Sequence, residues 1–273
     1  MEQGYSVLMS VYHKEKPDAL HCAMESIWNQ TIPTDDFVLV CDGPLTKQLD
    51  DVISKMSSLH SGTLHVVRLP ENKGLGNALN IGLSQCQHEL VARMDSDDIS
   101  LSDRCERQLN CFRIFPELAI CSGTVEEFSV SPEKVEASRI LPETDEEIRA
   151  FAKKRNPFNH PCVMYRKSAV EAAGSYQHFY LLEDYYLWIR MLQGGAKGRN
   201  IREPLLLMRA GSEMYRRRSG WRYAMSQRDL FRYMKQTGMI GTPEYLRAVV
   251  TRTVASVIPN GLRKAAYKIT MRT

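Results

Sequence analysis

Glu89-Leu90-Val91-Ala92-Arg93-Met94-Asp95-Ser96-Asp97-Asp98 is a short apolar run that ends in three crowded carboxylates. Leu90-Val91-Ala92 is continuous enough for a strand buried on both faces, as in a parallel sheet. Like charges this close disfavour each other's ionisation unless a cation lies between them. A hard divalent metal, which prefers oxygen ligands, is the simplest such cation. A strand that runs into this cluster aims its carboxylates off the carboxyl edge of a sheet, where open α/β sheets bind ligands. Taken alone, the same residues also suit a solvated turn or a helix cap.

The flanking sequence repeats the strand pattern. Tyr5–Val11 is apolar and β-rich. Residues 17–29 have helical spacing, with Leu20, Ala23, Met24, Ile27 and Trp28 on one face. Residues 37–41 read as a second strand stopped by Asp42-Gly43-Pro44, 49–59 as a helix, 64–69 as a strand and 74–86 as a helix. This alternation predicts an α/β fold, a mostly parallel central sheet flanked by helices. Further on, 103–115 is helical, 118–128 a strand, 129–142 a polar loop and 144–154 a short helix. Residues 156–165 form a loop leading into a strand, and 185–193 an aromatic-rich helix whose Trp188, Ile189 and Leu192 suit a core.

The chain has 273 residues, 43% hydrophobic and 25% charged, ordinary for a soluble globular protein. Its net charge of +4 is unevenly placed: residues 211–273 carry thirteen Arg or Lys against three Asp or Glu. The predicted organisation is a catalytic domain over 1–210 and a basic, helical C-terminal extension over 211–273. Seven Cys are scattered singly without a Cys-x-x-Cys pair, which argues against structural zinc. The odd count and the absence of a basic leader predict reduced thiols and a cytoplasmic location. No apolar run reaches the roughly eighteen residues of a membrane span.

Four elements that carry chemistry line up. Ser10-Val11-Tyr12 ends the first strand, Asp42 the second and the aspartate cluster the fourth. The last is Glu183-Asp184, which opens a helix whose dipole favours a carboxylate there, although plain capping also suits Asp184. Together with Ser26-Ile27-Trp28-Asn29-Gln30-Thr31, Asn72-Lys73-Gly74-Leu75-Gly76-Asn77-Ala78-Leu79-Asn80, Asn159-His160-Pro161-Cys162-Val163-Met164 and Glu183-Asp184-Tyr185-Tyr186-Leu187-Trp188, in this order, the chain resembles the family 2 glycosyltransferases. These have the GT-A nucleotide-sugar-binding fold, and the resemblance covers about residues 4–210. The subgroup it resembles builds bacterial O-antigen, capsule or exopolysaccharide repeat units.

The resemblance implies roles. Asp42 accepts from the uracil imide, and Ser10 and Tyr12 line the base pocket. Asp95 holds the ribose hydroxyls. Asp97 holds the Mn²⁺ or Mg²⁺ that bridges the donor's diphosphate. Lys73 and Asn80 face the nucleotide. Cys41 and Leu79 depart from the family, which often has Asp and Arg at those places. An acceptor hydroxyl is a poor nucleophile near neutral pH and needs a base. Asp184 is the expected base, with Glu183 the alternative, and single displacement inverts the anomeric carbon. His160 is expected to contact acceptor or diphosphate; a structural turn histidine and a metal ligand are its other readings.

The partners implied are a nucleotide-sugar donor, with uridine favoured by Asp42, and a glycan acceptor, lipid-linked in this subgroup. Basic, aromatic helices suit an anionic membrane surface on the cytoplasmic face of the plasma membrane, or else pack on the catalytic domain. No nucleic-acid partner is expected. A nucleotidyltransferase and a non-catalytic nucleotide- or sugar-binding relative are the competing functions. The first would carry a Gly-rich loop after the first strand, where Tyr12-His13-Lys14-Glu15-Lys16 stands. The second would lose the carboxylates that are present here. A processive synthase would need membrane spans.

Overall fold

Strand and helix alternate through the first half as the apolar spacing requires. β1 (Tyr5–Val11), β2 (Asp36–Cys41), β3 (Leu64–Arg68) and β4 (Leu90–Asp95) are joined by α1 (Pro17–Trp28), α2 (Lys47–Leu59) and α3 (Leu75–Gln85). β1 pairs in parallel with β2 and β4, and β2 with β3. The structure, a computed structural model, describes residues 4–211 and 220–257.

Because side chains alternate along a strand, each strand feeds two layers. Val7, Met9, Phe37, Leu39, Ala92 and Met94 pack with α1 and α2 on one face. Leu8, Val38, Val40 and Val91 pack with α3 on the other. The burial of both faces is why these strands read as continuous apolar runs. α3 lies so close to the sheet that a Cβ at Gly82 would stand 2.4 Å from Leu8 and 2.6 Å from Val40.

The second half adds β5 (Ile99–Ser100), α4 (Arg104–Ile114), β6 (Leu118–Phe128), β7 (Ala137–Arg139), α5 (Asp145–Ala152), a 3₁₀ turn (His160–Cys162), β8 (Met164–Arg166), α6 (Lys167–Ala172), α7 (Glu183–Gln193) and β9 (Lys197–Arg209). The sheet runs β3-β2-β1-β4-β8-β6-β9-β5, with β7 on β6. β8 is antiparallel to both neighbours, whereas β6 and β9 are parallel. Only Ser96, Asp97 and Asp98 separate β4 from β5, yet four strand-to-strand spacings lie between them. That linker reaches at most about 14 Å, whereas a flat sheet would need about 19 Å. The sheet therefore curls and returns the end of β9 to the aspartate turn.

The described residues continue with α8 (Trp221–Gln236) and α9 (Thr242–Val257). Leu230, Phe231 and Met234 of α8 join the cluster that holds Leu187, Trp188 and Ile189. This part of the basic extension thus completes the layer over α7. Arg216–Arg218 and residues 258–273 of the expected helical extension lie outside the described residues. β5, β7, α6 and β9 were not anticipated from sequence. β9 contains Gly198, Pro204 and four charges in its first half, and its register with β6 shifts around Gly123 and Thr124. Such irregularity removes the alternation by which a strand is recognised.

Candidate active site

The carboxyl ends of β1, β2 and β4 form one edge. Ser10 pairs with both Val40 and Asp95, and Val11 pairs with Cys41, so Asp42 comes just beyond. Tyr12 follows Ser10 and Val11 and is half-buried. Asp42 is buried and clamps the loop ahead of α3. Its Oδ1 accepts from the Lys73 N–H at 2.7 Å, and its Oδ2 from the Gly74 N–H at 3.0 Å. Its main-chain oxygen accepts from Asn72 Nδ2 at 3.1 Å. Gly43 has φ +87°, and a Cβ there would stand 2.7 Å from the Asn72 nitrogen, so only glycine allows this close approach. The Lys73 side chain is exposed and lies 4.0 Å from Glu71.

The turn after β4 gathers carboxylates. Arg93, 1% exposed, forms an ion pair through Nη2 with Asp95. Its Nε and Nη1 have no hydrogen-bond partner among the described residues. Ser96 Oγ donates to Glu15 Oε2 at 2.9 Å, so the loop after β1 brings a fourth acid. Burial, then the charges of Asp95 and Glu15, push the Asp97 carboxyl up to about 7 against the opposing pull of its backbone hydrogen bond and Arg209. Asp98 is 1% exposed; its Oδ1 accepts from the Arg209 N–H at 2.8 Å, and its Oδ2 has no partner among the described residues. Burial, followed by Asp97 and Asp95, holds its carboxyl well above the ordinary range.

Carboxyls kept from ionising by each other are a site short of positive charge, which fits a divalent cation. No preformed cage of three or more His, Cys, Asp or Glu exists among the described residues. That suits a metal held by one or two carboxylates and by substrate phosphates. Asp98 is anchored to β9 through Oδ1.

The opposite wall centres on Tyr176. Its hydroxyl lies 3.0 Å from His160 Nε2, and the His160 ring packs 5.9 Å from Trp188. Burial, aided by Arg93, pushes the imidazole well below its usual range, so it is neutral near pH 7. Asn80 spends both polar atoms on Tyr176: Nδ2 donates to its carbonyl at 2.7 Å, and Oδ1 accepts from its N–H at 2.8 Å. Asn80 thus positions Tyr176 from α3. Asp184 Oδ2 accepts from Asn156 Nδ2 at 2.7 Å, and Oδ1 from the Tyr185 N–H at 2.7 Å, at the start of α7. Glu183 faces α3, where a Cβ on Gly76 would lie 4.0 Å from its own Cβ. Burial raises the Tyr176 phenol, Arg93 opposes it, and Asp184 and Asp95 are both near enough to add to the rise. Tyr185 is core: it is buried and donates to the Ala152 carbonyl at 2.6 Å.

The structure so gathers the sequence-predicted residues along two walls. Ser10, Tyr12, Asp42, Asp95 and Asp97 line the sheet edge, and His160, Glu183 and Asp184 lie around Tyr176. Lys73 joins through its backbone and Asn80 acts on Tyr176. Sequence reasoning missed Glu15, Arg93, Asn156, Tyr176 and Arg209. Glu15 and Arg93 lay within segments already singled out, and the crowding of acids was the available signal for a nearby cation. Nothing local in the sequence marked Asn156, Tyr176 or Arg209, because only tertiary pairing brings them in.

Comparison with known proteins places the chain in a family. The profile described as Glycosyl transferase family 2 matches residues 6–174. The amylovoran biosynthesis glycosyltransferase AmsE of Erwinia amylovora is 43% identical over 252 residues, 91% of this chain and 93% of its own length. An Escherichia coli UDP-Gal:alpha-D-GlcNAc-diphosphoundecaprenol beta-1,3-galactosyltransferase is 35% identical over 268 residues, 98% of this chain and 96% of its own. In fold, S. aureus TarS aligns over 99% of this chain and 46% of its own, with TM-score 0.67 at 14% identity. The mannosyltransferase PcManGT of Pyrobaculum calidifontis, solved with GDP-Man and Mn²⁺, aligns over 99% of this chain and 76% of its own, with TM-score 0.64 at 16% identity. The architecture is therefore the GT-A fold, and the chain belongs to glycosyl transferase family 2 as a glycosyltransferase.

Proposed function

We propose that the protein is an inverting, metal-dependent, non-processive enzyme that moves a sugar from a UDP-sugar to a lipid-linked glycan during bacterial surface polysaccharide synthesis. The carrying observation is the crowded, charge-deficient aspartate turn at the sheet edge, with Asp95 and Asp184 both near enough to act on the one buried phenol of Tyr176. Family membership sets aside the nucleotidyltransferase reading. The likeness to AmsE and to the diphosphoundecaprenol-dependent galactosyltransferase supports the acceptor class and the pathway. The Mn²⁺ complex of PcManGT supports use of a divalent ion.

In this reading Asp42 accepts a hydrogen bond from the uracil imide N–H with the lone pairs its two backbone bonds leave free. Asp95, fixed by Arg93, holds the ribose. Asp97 would hold the metal, Mn²⁺ or Mg²⁺, which when bound offsets charge on the diphosphate. Asp184 takes the proton of the acceptor hydroxyl as that oxygen bonds to the anomeric carbon, opposite the departing diphosphate. Asn156 and the Tyr185 N–H aim the carboxylate. Neutral His160, held by Tyr176, supplies a hydrogen bond to the acceptor or the diphosphate without adding charge.

The deciding experiment is a screen of nucleotide-sugars against a synthetic lipid-pyrophosphate-sugar acceptor, with the product linkage read by NMR. A β-linkage from an α-linked donor is expected; retention of configuration or no transfer from any donor overturns the reading. Asp42→Ala should weaken UDP binding by about 1.5–3 kcal/mol, the range for a hydrogen bond to a charged group. Calorimetry that finds wild-type affinity would show that Asp42 does not read the base.

The basic extension is assigned to an anionic membrane surface. No helix among the described residues is long and apolar enough to cross a membrane. Arg222 stacks on Tyr180, Arg228 and Arg232 pair with Asp229, and Arg252 stacks on Phe231. Trp221, Leu246 and Val250 are exposed. Each Arg near an anionic bilayer contributes on the order of 1 kcal/mol. Binding to anionic liposomes should be strong at low salt and weak at high salt. A variant with Arg216→Glu, Arg217→Glu and Arg218→Glu should lose it; shortening the chain to Ala210 would instead remove part of the core. A full chain that ignores anionic liposomes at low salt would leave the extension a purely structural layer.

A further inference from the structure

Arg209 is the last residue of β9, and the curl of the sheet delivers it to the aspartate turn. Its backbone N–H donates to Asp98 Oδ1 at 2.8 Å, and its Nε donates to the Asp97 carbonyl at 3.2 Å. Its guanidinium carbon lies 4.7 Å from the centre of the buried Phe128 ring. These three contacts fix the planar group beside the acids. Its two terminal nitrogens make no hydrogen bond among the described residues, so the pronged end of the fork is unspent.

Charge counting shows why a second cation matters. Glu15, Asp95, Asp97 and Asp98 bring four acids to the turn. A nucleotide-sugar's diphosphate adds about two negative charges, and a divalent ion returns only two. Arg93 is buried and committed to Asp95. When the bond from the anomeric carbon to the β-phosphate oxygen breaks, its electron pair stays on that oxygen. The acceptor oxygen bonds to the carbon, its proton passes to Asp184, and the diphosphate leaves with one more negative charge. Arginine is the side chain whose fork suits phosphate oxygens, and its hydrogen bonds strengthen as those oxygens gain charge.

We propose that Arg209 is a catalytic residue that contacts the nucleoside diphosphate leaving group and binds it more tightly than the intact nucleotide-sugar. This rests on the transferase reading above and goes beyond it by naming the residue that favours the departing group. A purely structural Arg209, needed only to tie β9 to the turn, would weaken both ligands alike.

The test is calorimetric binding of UDP and of UDP-galactose, each with Mn²⁺, to wild type, Arg209→Met and Arg209→Lys. Arg209→Met keeps the backbone bond to Asp98 and an apolar contact for Phe128. It should weaken UDP about tenfold or more and UDP-galactose less than threefold, so the ratio between the two shifts. Arg209→Lys keeps the charge and should restore most of the ratio without the bidentate geometry. An unchanged ratio in a folded Arg209→Met overturns the inference and leaves the transferase reading standing. If Arg209→Met does not fold, the ratio in Arg209→Lys decides alone: wild-type discrimination or better overturns the inference, and a partial loss supports it. A wild type that binds neither ligand overturns the UDP-sugar donor and, with it, the inference.

Discussion

Asp184→Asn should lower turnover by roughly a hundredfold to ten-thousandfold while UDP binding stays nearly unchanged, the usual scale for removing a general base. The substitution keeps the shape of the side chain. An amide oxygen can still accept from the Tyr185 N–H or from Asn156, each of which donates to Asp184 at 2.7 Å. What disappears is the basicity needed by the acceptor hydroxyl. Single-turnover transfer should fall with the steady-state rate, because the lost interaction belongs to the chemical step. If UDP affinity collapses while residual transfer persists, Asp184 is structural. Glu183→Gln, one residue earlier and facing α3, then becomes the variant to measure.

Asp97→Asn should lose all detectable transfer and, in the absence of metal, make the protein more stable at alkaline pH. The carboxyl titrates at about 7 when folded against an ordinary value of 3.8, so the folded chain binds the proton more tightly than the unfolded one. A raised folded value means that stability is highest below about 4, is lost as pH rises through 7, and stays low above it. Asparagine carries no such titration. A shift of this size, discounted for the partial exposure of Asp97, corresponds to roughly 1–2 kcal/mol, a few degrees in Tm. Thermal unfolding in EDTA at pH 5 and pH 8 checks it: the variant's advantage should be clearly larger at the higher pH. Full wild-type transfer in EDTA would remove the metal from the mechanism, and equal Tm differences at both pH values would remove the charge-repulsion account.

These two residues differ in how they could be found. Asp97 was legible because its crowding with Asp95 and Asp98 is a local, covalent fact. The strand before it is apolar on both faces, and that too is local. Asp184 was legible as a carboxylate at a helix start, yet its alignment with the sheet edge was carried by the family resemblance. Asn80 was read as facing the nucleotide, and the structure finds both its polar atoms on the Tyr176 backbone. That pairing spans 96 residues, so no local pattern announces it. His160 resolved in a similar way: its neutral imidazole depends on Tyr176, Trp188 and Arg93, which come from three other elements.

The sequence by itself determined the alternation of strands and helices through β4, the double-sided burial of those strands and the carboxylates at their ends. It could do so because periodicity and turn chemistry act between near neighbours. The tertiary structure alone decided the rest. It inserted an antiparallel β8 between β4 and β6, recruited α8 into the core over Trp188, and closed the sheet so that β9 ends at Asp98. Those choices depend on pairing between segments far apart, where burial of a whole face outweighs local propensity. Glu15, Tyr176 and Arg209 belong to the site for that reason: the curl of the sheet and the packing of its loops, not their own surroundings in the chain, bring them to the aspartates.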